Sequence, residues 1–206
     1  MIDAAILPVQ RAALAPPARW LAARGVGADA ITIAGFGVGL LALPALAAGW
    51  YLLALGLIGL NRLADGLDGA VARASGQASD RGAFLDIALD FVFYALVPLG
   101  FALADPAQNA LPAAVLIAGF VGTGSSFLAF AAVAARRGEA SIRYPNKGIA
   151  YLGGLTEGFE TIVFFVLICL FPQWFAPLAY AFAAACAVTT VTRWVAGWQA
   201  FSDTRG

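Results

Sequence analysis

The 206-residue chain contains no histidine and only two cysteines, Cys169 and Cys186, each inside a separate apolar run. A zinc centre of imidazole and thiolate is thereby excluded, and any proton transfer falls to another side chain. The two thiols read as packing residues. Charge is scarce too: 12% of the residues are Asp, Glu, Lys or Arg, and they cancel to a formal net charge of zero. With 62% hydrophobic residues, this composition excludes a soluble domain and describes an all-α integral membrane protein. No nucleic-acid partner is expected. The sequence has no repeat, low-complexity tract or soluble second domain, and no signal peptide is read, because the first long apolar run starts only near Ile31.

Against that background the stretch from Asp65 to Asp90 stands out, reading DGLDGAVARASGQASDRGAFLDIALD. At the helical period Asp65, Asp68, Gly69, Ala72 and Arg73 share one face, and Gly82, Asp86 and Asp90 form a second stripe at i, i+4 and i+8. Ser75, Gly76, Ser79 and Asp80 give the linker from Ala74 to Arg81 a turn composition, which folds the helices back as an antiparallel pair with facing stripes. An isolated acid at membrane depth costs about 2.5–3.5 kcal/mol, and four facing carboxylates repel unless a cation lies among them. All-oxygen ligation by Asp65, Asp68, Asp86 and Asp90 suits Mg²⁺ or Mn²⁺. Metal held in this way typically meets phosphate: Gly69, Ala72 and Gly82 leave room for its close approach, and Arg73 offers a phosphate-matching fork. The competing reading pairs the acids only with Arg62, Arg73 and Arg81.

The pattern Asp65-x2-Asp68-Gly69-x2-Ala72-Arg73-x8-Gly82-x3-Asp86-x3-Asp90 resembles the signature of the CDP-alcohol phosphotransferase family, with every position and gap matched. The resemblance implies a membrane enzyme in which an alcohol hydroxyl attacks the phosphorus of a CDP-linked donor and expels CMP. It implies transfer of a phosphatidyl group from CDP-diacylglycerol to a small alcohol or lipid acceptor. By the same resemblance, Asp65, Asp68, Asp86 and Asp90 hold two metal ions, and Asp90 is also the general base. Gly69, Ala72, Arg73 and Gly82 would form the cytidine-diphosphate cradle. A homodimer in a bacterial inner membrane is implied as well. Two alternatives stay open: a reversed donor, CDP-choline or CDP-ethanolamine acting on diacylglycerol, and, from another class, a divalent-cation transporter with the acids as its ion site.

Residues 1–28 are expected to form an N-terminal interfacial segment, and residues 29–206 a membrane domain of six transmembrane helices. Pro8, Pro16 and Pro17 interrupt any long helix in the first segment, leaving Pro17 to Arg24 as a short amphipathic helix. Asp29 then caps a first span from Ile31 to Ala48, and the second runs from Trp50 to Arg73. The third runs from Gly82 to Ala104; the fourth follows a turn at Asp105 to Pro112 and ends near Ala135. The fifth is expected from Gly148 to Phe171 and the sixth from Trp174 to Trp198. Arg11, Arg19, Arg24, Arg73, Arg81, Arg136, Arg137, Arg143, Lys147 and Arg205 all fall on one side of this arrangement. The positive-inside rule then makes both termini and the acid stripes cytoplasmic.

Outside the signature, Glu157 and Glu160 are read inside the fifth helix on one face, either paired with Arg193 or Arg62 or recognising a cationic or polyhydroxy acceptor. The small cluster Gly122, Thr123, Gly124, Ser125 and Ser126 reads as tight helix packing or as a hydroxyl-lined pocket wall. The basic loop with Arg136, Arg137, Arg143 and Lys147 either meets anionic headgroups or binds an acceptor phosphate.

Overall fold

Residues 2–137 and 154–202 are described by a computed structural model, and every regular element among them is helical. In chain order these are α1 (Ile2–Ala23), α2 (Ala28–Leu40), α3 (Ala42–Ala47), α4 (Tyr51–Ser75), α5 (Asp80–Ala104), α6 (Pro106–Arg136), α7 (Gly158–Leu170) and, after a 3₁₀ turn at Pro172–Trp174, α8 (Phe175–Phe201). Of the basic loop, Arg143 and Lys147 lie outside the described residues, as does Arg205.

The expected break in the N-terminal segment is replaced by one helix that runs through Pro8, Pro16 and Pro17. An interior proline removes a helical hydrogen bond and crowds the preceding turn, at about 3 kcal/mol or more. Tertiary packing offsets this here: Leu14, Ala18 and Leu21 of α1 lie on Leu67, Ala70 and Val71 of α4.

Four segments are long and apolar enough to cross a membrane: Ala28–Ala47, which joins α2 and α3, then Asp80–Ala104, Pro106–Arg136 and Pro172–Phe201. Length and composition thus support four of the six expected spans among the described residues. α4 has the length, at 25 residues, but carries the first acidic stripe. α7 has 13 residues, about 20 Å of helix against a hydrocarbon core of about 30 Å.

Several boundaries shift for local reasons. Gly27, not Asp29, caps α2, and Asp29 sits in its first turn, where an acid favours the helix dipole. Gly76 ends α4 in the left-handed region at φ 67°, and Ser79 caps α5 by accepting from the Gly82 N–H at 3.1 Å. The turn expected at Asp105 to Pro112 shrinks to Asp105 alone, whose Oδ1 accepts from the Gln108 N–H while Pro106 starts α6.

The described fifth helix begins at Gly158, since residues 154–157 are not helical, and the expected start at Gly148 lies outside the described residues. Glu157 and Glu160 set that start as a reciprocal capping box: each side chain accepts from the backbone of the other. Glu157, expected within the helix, is thus its cap, while Glu160 does lie inside it, in the first turn.

The core is shared by α3 to α8. Leu46, Ile58, Phe93, Val97, Phe101, Leu116, Phe165 and Phe175 are buried together, with Cys169 and Cys186 among them as packing residues. Phe101 stacks on Phe175 with ring centroids 4.5 Å apart. α2 packs against both α4 and α5, and α3 does likewise. The backbones of α4 and α5 stand apart and meet through side chains, so the two acidic stripes look across a gap.

Candidate active site

The gap is where the signature converges. One oxygen from each of Asp65, Asp86 and Asp90 lies within 4.8 Å of the others, bringing together the first residue of one stripe and two from the next helix. At that spacing two unit charges repel by about 3 kcal/mol at an effective dielectric of about 20. Such a set of hard oxygen donors fits a divalent cation of the Mg²⁺ or Mn²⁺ type.

Asp68 stands apart from that trio. Only 5% exposed, it accepts a hydrogen bond from Thr32 Oγ1 of α2 at 2.5 Å through its Oδ2. All four aspartates, with Thr32 and Arg62, nevertheless bound one small cavity of about 10 Å³, the size of a single water or ion.

A larger cavity of about 450 Å³ opens beside it. Its lining combines the four aspartates, Gly69 and Arg73 with the apolar Ile87, Phe91, Phe120 and Phe127. At Gly69 a Cβ would meet only Arg73 Nη1, at 3.3 Å, so this position keeps the backbone open towards the arginine. Ala72 is half-buried and Gly82 lies at the α5 N-terminus; neither lines the cavity. A Cβ on Gly82 would meet Asp29 Oδ1 at 3.2 Å, so the space there is taken up by α2.

The arginines divide. Arg81 leaves the acids altogether and pairs with Asp29 at 2.5 Å. Arg62 enters the site: its Nη2 is 2.8 Å from Asp90 Oδ1 and its Nη1 is 3.7 Å from Asp65 Oδ2. The sequence offered Arg62 only as one possible ion-pair partner. Its position three residues before Asp65 is the signal that puts it over the stripe. The Arg62 guanidinium offsets only part of the charge of the four carboxylates.

Further groups on the cavity wall lie outside the signature. Gln10, Arg11 and Leu14 of α1 line it, and a Cβ on Gly66 would meet Gln10 Nε2 at 2.8 Å and Leu14 Cδ1 at 2.9 Å, so α1 closes directly over α4. Thr123 lines the far wall while its neighbours pack, Gly122 against Thr190 and Gly124 against Phe91. Both readings of that small cluster therefore hold. Arg193, buried at 7% exposure, donates to the Thr123 carbonyl at 3.0 Å and lines the same wall. Glu157 also lines the cavity, while its Oε1 accepts from the Gly154 N–H at 2.8 Å. Of the basic loop, Arg137 donates to the carbonyls of Ala200 and Phe201 at the end of α8.

Comparison with known proteins places this geometry in context. The family model of CDP-alcohol phosphatidyltransferase matches residues 26–192. Inner membrane protein YnjF of Escherichia coli (strain K12) is 54% identical over 198 residues, 96% of each chain. Among solved structures, the fold is similar to that of the phosphatidylinositol phosphate synthase PgsA1 of Mycobacterium tuberculosis. In complex with manganese and citrate, that protein gives a TM-score of 0.68 at 23% identity, covering 90% of this chain and 88% of the other. With CDP-DAG bound it gives 0.66 at 22% identity, over 90% and 93%.

Proposed function

The chain belongs to the CDP-alcohol phosphatidyltransferase family, and on that premise we propose that this integral membrane enzyme transfers a phosphatidyl group from CDP-diacylglycerol to an alcohol, releasing CMP. The observation that carries the reading is the convergence of Asp65, Asp86 and Asp90 within 4.8 Å beside a cavity lined by both polar and apolar side chains. A nucleotide diphosphate needs the polar groups and a diacylglycerol chain the apolar ones. The solved relative with CDP-DAG bound supports the choice of donor.

Asp65, Asp68, Asp86 and Asp90 would hold the metal, with Asp68 reaching it from the small cavity that all four bound. When bound, Mg²⁺ or Mn²⁺ supplies Lewis-acid neutralisation of the charge that develops on the diphosphate oxygens. Arg73 and Gly69 line the larger cavity, where the arginine fork suits phosphate oxygens and the missing side chain admits them. Ala72 and Gly82, assigned to the same cradle by the signature, lie outside that cavity's lining and would act only at the neighbouring helix ends. Asp90 takes the proton from the acceptor hydroxyl; Arg62 engages its Oδ1, which leaves Oδ2 as the oxygen to receive it. The acceptor oxygen's lone pair forms the new P–O bond as the diphosphate P–O bond breaks, and the electron pair of that broken bond leaves on the phosphate oxygen of CMP.

In this reading α4 and α7 complete six crossings, and α1 lies in the interface with Trp20 beneath the Arg24 guanidinium at 3.4 Å. The basic residues put both termini and the acids on the cytoplasmic side of a bacterial inner membrane. Association as a homodimer belongs to this reading too; on α2 the paired glycines Gly35 and Gly39 are used up against α4 and α5, and Gly37 alone is open to its surroundings.

The test is CMP release by purified protein in nanodiscs with CDP-diacylglycerol and Mg²⁺ or Mn²⁺, across serine, inositol, glycerol 3-phosphate, inositol phosphate and choline. Release with one acceptor, lost on chelation of the metal, is the expected result. CMP from CDP-choline and diacylglycerol instead would reverse the donor, and metal flux without CMP would indicate a transporter.

A further inference from the structure

Arg62 lies within hydrogen-bonding distance of Asp90, and its surroundings are built to hold it. Its side chain is 9% exposed. Nε and Nη2 donate to Asn61 Oδ1 at 2.8 and 2.6 Å, and Asn61, itself buried, is anchored by donating from Nδ2 to the Gly35 carbonyl at 2.9 Å. Nη1 donates to the Tyr94 hydroxyl at 3.3 Å. The guanidinium carbon lies 4.7 Å from the centre of the Phe93 ring and 5.2 Å from that of Tyr94. A long side chain so restrained cannot swing away from the acids without leaving Asn61, Tyr94 and both rings.

What it holds is asymmetric. Asp90 on α5 receives a short, charge-assisted bond at 2.8 Å, whereas Asp65 on α4 receives only the charge, at 3.7 Å. One cation thus spans both stripes across the gap that α4 and α5 leave open. A fixed positive charge at that distance also opposes a dication in the same cluster, because like charges in a partly desolvated site repel.

We infer that Arg62 is a positioning residue and a resident cation of the acidic site: its fork aims Asp90 at the acceptor, and its charge lowers the affinity for divalent metal. This rests on the proposed transfer reaction for its kinetic half and on the carboxylate geometry alone for its binding half. The two halves have opposite signs on removal of the arginine. A side chain that merely braced the fold would, when removed, loosen the carboxylates and weaken metal binding together with turnover.

The experiment compares full-length wild type with Arg62→Met and Arg62→Lys in nanodiscs, reading Mn²⁺ affinity by electron paramagnetic resonance and CMP release by steady-state kinetics. For Arg62→Met we expect kcat to fall about 100-fold with the KM for CDP-diacylglycerol little changed, as for a misplaced base. In the same variant Mn²⁺ should bind roughly tenfold more tightly, because a repelling charge has gone. Arg62→Lys keeps the charge but loses the planar fork, so its Mn²⁺ affinity should stay within about twofold of wild type while kcat still falls about tenfold. Weaker Mn²⁺ binding by Arg62→Met, or an undiminished kcat in either variant, would overturn the inference. If the methionine variant does not fold, the lysine variant decides it, with unchanged kcat or a lost Mn²⁺ site counting against. Wild-type protein that releases no CMP with any acceptor would sink the transfer reading, while the Mn²⁺ affinities would still decide the effect of the charge.

Discussion

Thr32 Oγ1 donates to Asp68 Oδ2 across 2.5 Å, tying the first acidic stripe of α4 to α2. The same hydroxyl lies 3.1 Å from the Ala28 carbonyl one turn back, so the threonine rotamer is fixed by its own helix. Asp68 is thereby oriented before any ligand arrives. Replacing Thr32 with valine keeps the shape and removes the donor. Metal affinity should fall by about tenfold, the lower end for loss of a group that orients a ligand. Mn²⁺ binding by the folded variant checks this, and an unchanged affinity would mean that Asp68 needs no such support.

Asp90→Asn keeps the volume and an oxygen that Arg62 can still engage. The amide cannot take a proton, so CMP release should fall about 10²–10⁴-fold. Thermal unfolding of the variant should remain close to that of wild type. Turnover retained within a factor of a few would remove Asp90 from the role of base.

Glu160 separates capping from recognition. Its Oε2 accepts from the Glu157 N–H at 3.2 Å, and Glu160 does not line the cavity. Glu160→Ala should lower stability by about 1 kcal/mol, the usual worth of a lost cap, and leave the KM of every acceptor in place. A changed acceptor KM at unchanged stability would restore the recognition role.

Gly100 of α5 meets α3 with no room for a side chain. A Cβ there would lie 2.6 Å from Leu46 Cβ and 2.8 Å from Leu46 Cδ1, both fully buried. Gly100→Ala should therefore destabilise by about 1–3 kcal/mol through overpacking. Gly37→Ala, where nothing lies within 4 Å, is the control and should stay within about 0.5 kcal/mol. The melting temperatures of the two variants in the same detergent decide between them.

The parts of the fold legible in the sequence are those set by neighbours along the chain. The limits of α4 lie within two residues of the expected second span, because a continuous apolar run is followed by a stripe of helical period and stopped by Gly76. The capping box at Glu157 and Glu160 was not legible: glutamate is not among the usual cap residues, so both acids read as lying inside a longer helix. The continuity of α1 was not legible. Three prolines argue locally for a break, and only the packing of Leu14, Ala18 and Leu21 on α4 reverses that argument.

The sequence by itself determined that four aspartates would be presented on two helices beside small residues, since spacing along a helix fixes which side chains share a face. Only the tertiary structure decided what each of them meets. Asp65, Asp86 and Asp90 come within 4.8 Å of one another, Asp68 turns to Thr32, Arg62 joins Asp90 and Arg81 goes instead to Asp29. These pairings depend on how far apart α4 and α5 stand and on where α2 lies against both. That distance is set by side chains packed from the rest of the bundle, such as Leu46 on Gly100, and no local spacing encodes it.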